Sequence, residues 1–124
     1  MRVFKTKAFA RFARKAGLVD SALCEAIADA ERGLIDADLG GGVIKQRAAR
    51  RGQGKSGGFR VFVLYRRGMR AFFVHGLAKN DRANIAQDEL AALKELASEM
   101  LAYTEAALDR AVTLGALVEV NCNA

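Results

Sequence analysis

The 124-residue chain has no proline, a single histidine and only two cysteines. Without proline, nothing forces a break in a hydrogen-bonded ladder of strands. One histidine, His75, and no Cys/His cluster leave the ligand set of a zinc site missing, and no metal or other cofactor is expected. Cys24 falls in a predicted helix and Cys122 in the tail, and two unclustered cysteines in such a chain read as reduced thiols rather than as a disulfide. No apolar run approaches the roughly 18–20 residues that cross a bilayer. The N-terminal MRVFKTKAFARFARK places charges where a signal peptide needs its apolar region. No membrane partner is therefore expected, and a cytoplasmic location is. Ser21 and Ser56 have no histidine–carboxylate arrangement that would make either a nucleophile. Glycine is grouped in LIDADLGGG (Leu34–Gly42), but no GK[ST] follows, which excludes a phosphate-binding loop there.

What the chain does have is polarised charge. Between Val43 and Arg82 stand eleven Lys/Arg against one acid, Asp81, a local net charge of +10. The other 84 residues carry nine basic and thirteen acidic side chains, a net of −4. Paired carboxylates of the glycosidase kind are absent from the basic segment. A pI of about 9.7 favours nucleic acid, another polyanion or an acidic protein as partner. With 52% apolar residues the chain reads as one globular domain, residues 1–124, with a core over about 2–100 and a helical extension over about 101–124.

Residues Arg2–Lys5 suit a first strand. Thr6 offers an N-cap hydroxyl to a helix with Phe9, Phe12, Ala13 and Ala16 on one side, ended by Gly17. Asp20 or Ser21 caps a second helix, with Leu23, Cys24, Ile27, Ala28 and Ala30 as its stripe, ending near Gly33. The short connection makes the two a helical hairpin covering one sheet face. Leu34–Gly42 reads as a flexible loop, Val43–Ala49 as a strand, and Arg50–Gly58 as a mobile glycine-rich loop. Phe59–Arg66 and Met69–Lys79 alternate as two further strands. A helix from Gln87 or Asp88 to about Val112 would span about 35 Å at 1.5 Å per residue. Such a helix would either project or pack on a partner. The tail Gly115–Ala124 has the composition of a short strand. The expected fold is α+β, a small antiparallel or mixed sheet with the N-terminal hairpin on one face and a long C-terminal helix, in the order β-α-α-β-β-β-α.

A two-residue turn at Arg67-Gly68 would pair Arg66 with Met69, Phe62 with Phe73 and Arg60 with His75. The exposed face would then carry Lys45, Arg47, Arg60 and His75, with Lys79 and Arg82 beyond and Phe62 and Phe73 free to stack on bases. A neighbouring Arg60 would disfavour the imidazolium form of His75 and leave a neutral ring able to accept a proton. Against this stands the ordinary role of scattered Lys and Arg, which is to keep a sheet soluble.

The element order and three blocks, AERGLIDADLGGGVIKQR (Ala30–Arg47), GQGKSGGFRVFVLYRRG (Gly52–Gly68) and FFVHGLAKNDRANIAQDEL (Phe72–Leu90), resemble the RelE/ParE superfamily of type II toxin–antitoxin toxins. The likeness is closest to HigB-like members. It implies an mRNA interferase, an endoribonuclease that cuts mRNA at the ribosome without metal and is silenced by a cognate antitoxin, expected here as a helix-turn-helix DNA-binding protein. The implied chemistry is attack of a ribose 2′-hydroxyl on the adjacent phosphate. By the same resemblance Arg60 and Lys45 are catalytic candidates, joined by His75 through its expected place beside Arg60, and Lys45, Arg47, Arg60, Lys79 and Arg82 are the RNA-binding ones. Asn80 and Ala86 stand where RelE has an arginine and a tyrosine. ParE-type gyrase inhibitors share the fold without ribonuclease chemistry, and a non-catalytic nucleic-acid-binding module is the third alternative.

Overall fold

The computed structural model describes residues 1–50, 54–78 and 85–122, which form six strands and four helices. Their order is β1 (Arg2–Thr6), α1 (Lys7–Ala16), α2 (Asp20–Glu31), β2 (Ala37–Gly40), β3 (Val43–Arg50), β4 (Gly54–Arg66), β5 (Arg70–Ala78), α3 (Gln87–Met100), α4 (Glu105–Thr113) and β6 (Leu117–Val120). The strands form one mixed sheet, β2-β3-β4-β5-β1-β6, with β1 parallel to β5 and antiparallel to β6. The fold is α+β, as the sequence predicts, and no described helix is long and apolar enough to cross a membrane.

Local chemistry explains the first helical layer. The Thr6 hydroxyl accepts the Phe9 amide hydrogen bond at 3.2 Å, and Gly17, at φ 70°, ends α1 in the left-handed region. The second helix starts one residue earlier than a polar cap would place it. Val19 is its N-cap and gives no side-chain bond. Asp20 instead lies in the first turn, where its charge suits the helix dipole and meets Lys5 Nζ at 2.9 Å. The hairpin buries Phe9, Ala13, Leu23 and Ile27 against Ile44, Phe59, Val61, Val63 and Phe73. On the opposite face Phe4, Val43, Leu64 and Phe72 lie under Ala97, Met100, Leu101 and Leu108.

That second layer departs from the sequence expectation. The single long helix is two helices, broken over Leu101–Thr104. Thr104 Oγ1 accepts from Ala107 N at 3.0 Å and caps α4, while Arg70 Nη1 takes the Tyr103 carbonyl at 2.5 Å. A straight helix would carry Leu108 away from the sheet. The break returns it to full burial beside Phe4 and Leu117. Arg2 then binds α4 and β6 through Glu105, Asp109 and Glu119 at 2.8–3.0 Å.

Two predicted loops also hold structure. β2 lies within Leu34–Gly42 and pairs with β3. Its glycines serve close packing rather than flexibility alone. A Cβ on Gly42 (φ 83°) would lie 2.7 Å from Leu101 Cδ1, and one on Gly41 would lie 2.9 Å from Lys94 Cγ. Within the glycine-rich Arg50–Gly58, β4 begins at Gly54, which pairs with Arg50.

The cysteines are not free thiols: Cys24 and Cys122 form a disulfide with a Cα–Cα distance of 5.4 Å. The antiparallel β1–β6 pair explains the meeting. Val120 opposes Val3 in the core beneath the helical hairpin, so Cys122, two residues on, reaches Cys24 of α2.

Candidate nucleic-acid interface

The site is set by how β3, β4 and β5 register. The turn after β4 has three residues, so Arg66 pairs with Arg70 and not with Met69. A two-residue I′ or II′ turn needs positive φ at Arg67, the first loop position, and no non-glycine described residue has it. Positive φ falls at Gly68 instead, at 72°. Glu31, at the end of α2, fastens this turn by accepting from the Gly68 amide at 3.0 Å and from the Tyr65 hydroxyl. The Tyr65 hydrogen bond, helped by Gly68 and Arg67, holds the Glu31 carboxyl below its ordinary value. Burial, then the bond to Glu31, pushes the Tyr65 hydroxyl above its own.

Further along, β5 bulges. Val63 pairs with Phe73 but Phe62 with His75, which leaves Val74 as the extra residue. On the far side Gly76 lies under the Phe12 ring of α1, where a Cβ would stand 2.2 Å from Phe12 Cε2. The three-residue turn and the bulge each shift the register by one. His75 therefore returns to the face of Phe62 and Arg60, but two positions from where the sequence puts it.

Directly opposed residues share a face, so two rows result. Lys45, Phe62 and His75 form one, and Arg47, Arg60 and Leu77 the other. They continue the face on which Val43, Leu64 and Phe72 are covered by α3 and α4. Lys45, Arg47, Arg60 and His75 are thus brought onto one face. Arg60 and His75 are not opposed; they are diagonal neighbours, roughly 7–8 Å apart by sheet geometry. The direct neighbour of His75 is the Phe62 ring, with centroids 5.6 Å apart. His75 Nε2 is buried without a hydrogen-bond partner among the described residues, a costly state that often marks a functional position.

Two aromatic assignments fail. Phe62 and Phe73 are 1% and 0% exposed and cannot stack on bases. Phe73 faces the helical hairpin, 5.4 Å from the Phe9 ring, because the one-residue shift near the turn moves it to the core side. Lys79 and Arg82 lie outside the described residues.

Charge separates this face from the rest of the sheet. Like charges directly opposed across strands destabilise a ladder. Arg2 opposes Arg70, and Glu105 bridges both at 3.0 Å. Arg47 opposes Arg60 without such a bridge. Arg47 reaches Asp36 at 3.3 Å, whereas Arg60 has no ion pair among the described residues. Nor do His, Cys, Asp and Glu side chains there form a group able to hold a metal ion. The arrangement can receive an anion between two arginines, with a lysine and a histidine in the next row.

The chain matches the family model of the RelE toxin of the RelE/RelB toxin–antitoxin system over residues 1–120. It belongs to the RelE toxin family. No curated protein and no solved structure matches it. As a RelE-family toxin it is one member of a toxin–antitoxin pair, with a cognate antitoxin as partner. Sequence reasoning missed three residues that shape the toxin's face: Glu31, which fixes the turn, Gly76, which admits Phe12, and Asp36, which holds Arg47. A glycine one residue past the expected Arg60 partner was the one local signal for the bulge region.

Proposed function

We propose that this toxin is an mRNA interferase of the HigB-like branch that stops translation by cutting mRNA on the ribosome, in the cytoplasm. The observation that carries the reading is the unbridged Arg47–Arg60 pair, one row from Lys45 and His75 on the same sheet face. Two facing guanidinium groups suit a phosphodiester, whose non-bridging oxygens gain charge as the transition state forms.

In the proposed reaction the ribose 2′-oxygen attacks the adjacent phosphorus and the bond to the 5′-oxygen breaks, leaving a 2′,3′-cyclic phosphate and a 5′-hydroxyl. One base takes the 2′-hydroxyl proton and one acid supplies a proton to the departing oxygen. Arg60 stabilises the phosphoryl oxygens, Lys45 and Arg47 hold the RNA backbone, and Lys45 and His75, which flank Phe62 in one row, are the proton-transfer candidates. Lys79 and Arg82 extend RNA binding in this reading. The reaction needs no metal. An antitoxin, expected as a helix-turn-helix DNA-binding protein, silences the toxin by bringing acidic or polar groups to this face.

The test is to incubate the purified toxin with translating ribosomes and map mRNA 5′ ends. New ends are expected within the translated message. Removing one oxyanion-type donor costs roughly 10²–10³ in rate, the loss expected for Arg60→Ala. Removing a general acid or base costs roughly 10²–10⁴, the loss expected for His75→Ala, with the fold checked by circular dichroism. No new ends together with inhibition of gyrase supercoiling would replace this reading with the ParE-like one.

A further inference from the structure

The four helices differ in the charge they turn to solvent. Within their bounds α2 carries four acids and no base, α3 four acids and one base, and α4 two acids and one base. Helix α1, KAFARFARKA, carries four bases and no acid. Phe9 and Ala13 are buried, while Lys7, Arg11, Arg14 and Lys15 are all exposed. Their spacings of three and four residues put them on one face as mutually repelling neighbours. Lys7 also sits in the first turn, where the helix dipole disfavours a cation, although Arg14 and Lys15 suit the last. Arg2, Lys5, Arg32, Arg47 and Arg70 each have an ion-pair partner, and these four have none among the described residues. An ordinary solvated face would mix signs, as α3 and α4 do.

Helix α1 packs on the sheet face opposite Lys45, Arg47 and Arg60, beside the His75 stretch of β5. Phe12 packs over Gly76, and Ala8, Phe9 and Phe12 line a depression of ≈ 190 Å³ with Val74, His75 and Gly76. Lys7 to Lys15 spans about 12 Å, one cation or more per turn, a spacing suited to a row of phosphates rather than one small anion. The stripe offers no large exposed apolar side chain, which a protein interface needs at its centre and a phosphate contact does not.

We infer that Lys7, Arg11, Arg14 and Lys15 of α1 form a second docking surface, for the phosphate backbone of folded RNA, on the opposite side of the sheet from the face that takes the strand to be cut. The inference rests on the proposed function in treating that sheet face as an RNA site. Each neutralised phosphate contributes about 0.7–0.9 to the slope of log affinity against log salt. The experiment measures binding of the full-length toxin to a labelled stem–loop RNA across a potassium chloride series. It compares wild type with Arg11→Ala/Arg14→Ala/Lys15→Ala and with the charge-retaining Arg11→Lys/Arg14→Lys. Alanine is the strongest helix former, so α1 persists in the triple variant, and circular dichroism checks it. The slope is expected to fall by about 2 to 3 in the triple variant and to stay at the wild-type value in the lysine variant. An unchanged slope overturns the inference. So does an unchanged slope with weakened antitoxin binding, which would make the stripe a surface for an acidic protein. Cleavage mapping reads the other hypothesis separately. A slope that falls in a toxin that makes no new mRNA ends keeps the docking surface and removes the interferase, and new ends with an unchanged slope do the reverse.

Discussion

Breaking the Cys24–Cys122 bond should cost this toxin a large part of its stability. The bond joins positions 98 residues apart, and in the chain-entropy model a loop of about 100 residues restricts the unfolded chain by about 4.7 kcal/mol. Native disulfides typically deliver about 2–4 kcal/mol, so the range to test is about 2–4.7 kcal/mol. An unfolding entropy of about 2.1 cal/mol/K per residue, over 124 residues, gives about 0.26 kcal/mol/K. The expected fall in Tm for Cys122→Ser is therefore about 8–18 °C. The folded topology should survive, because the β1–β6 ladder and the Arg2–Glu119 pair hold the tail independently. Thermal unfolding followed by circular dichroism measures the shift, and intact mass with thiol alkylation reports whether the bond is closed. Wild type under reductant should unfold near the variant, which matters because the proposed ribosomal target puts the toxin in a reducing compartment. Two alkylatable thiols in the native, unreduced protein would refute the bond. A variant that unfolds within about 2 °C of the oxidised wild type would refute the reasoning that the long loop is what stabilises.

Two further outcomes follow from the packing behind the site. Gly76→Ala pushes a methyl group into the Phe12 ring and should cost about 1–3 kcal/mol by overpacking; a smaller cost in a Phe12→Ala background, read by urea unfolding, would confirm the contact, and equal costs would deny it. The Glu31 carboxyl, held below its usual range chiefly by the Tyr65 hydroxyl, contributes stability that is present above its unfolded value of about 4.3 and lost as pH falls through the lower folded value. Glu31→Gln should therefore flatten the decline in urea midpoint below about pH 4.5, leaving the part due to Glu119, whose carboxyl is likewise lowered by Arg2; identical pH profiles would sink the assignment.

Much of the architecture was readable because its causes are local. Thr6 and Gly17 bound α1 through chemistry within one turn of chain. Alternation in Phe59–Arg66 separated Val61 and Val63 from Arg60 and Phe62 without reference to any partner. The family likeness lay in blocks of sequence and was met by the family match over residues 1–120. Where a distant residue decides the outcome, the sequence misleads. Thr104 is an N-cap in a stretch whose apolar stripe runs on unbroken, and only Arg70 on the Tyr103 carbonyl and the burial of Leu108 favour the break.

The basic segment shows the division most plainly. Its charge, its strands and the residue types needed to grip a phosphate follow from composition and a period of two, since neighbouring side chains on a strand alternate whatever surrounds them. Which residues meet does not follow. The Arg67–Met69 turn is pinned by Glu31 of α2, and beside the bulge at Val74 the Phe12 ring lies on Gly76. Each shift moves every later pairing by one position, and together they set His75 against Phe62 and Arg60 against Leu77. Cys24 and Cys122 are the same case at longer range, joined only because β6 returns to pair with β1. Sequence determined the surface's chemistry, because side-chain identity is local; tertiary structure decided its neighbours, because register is set by contacts far along the chain.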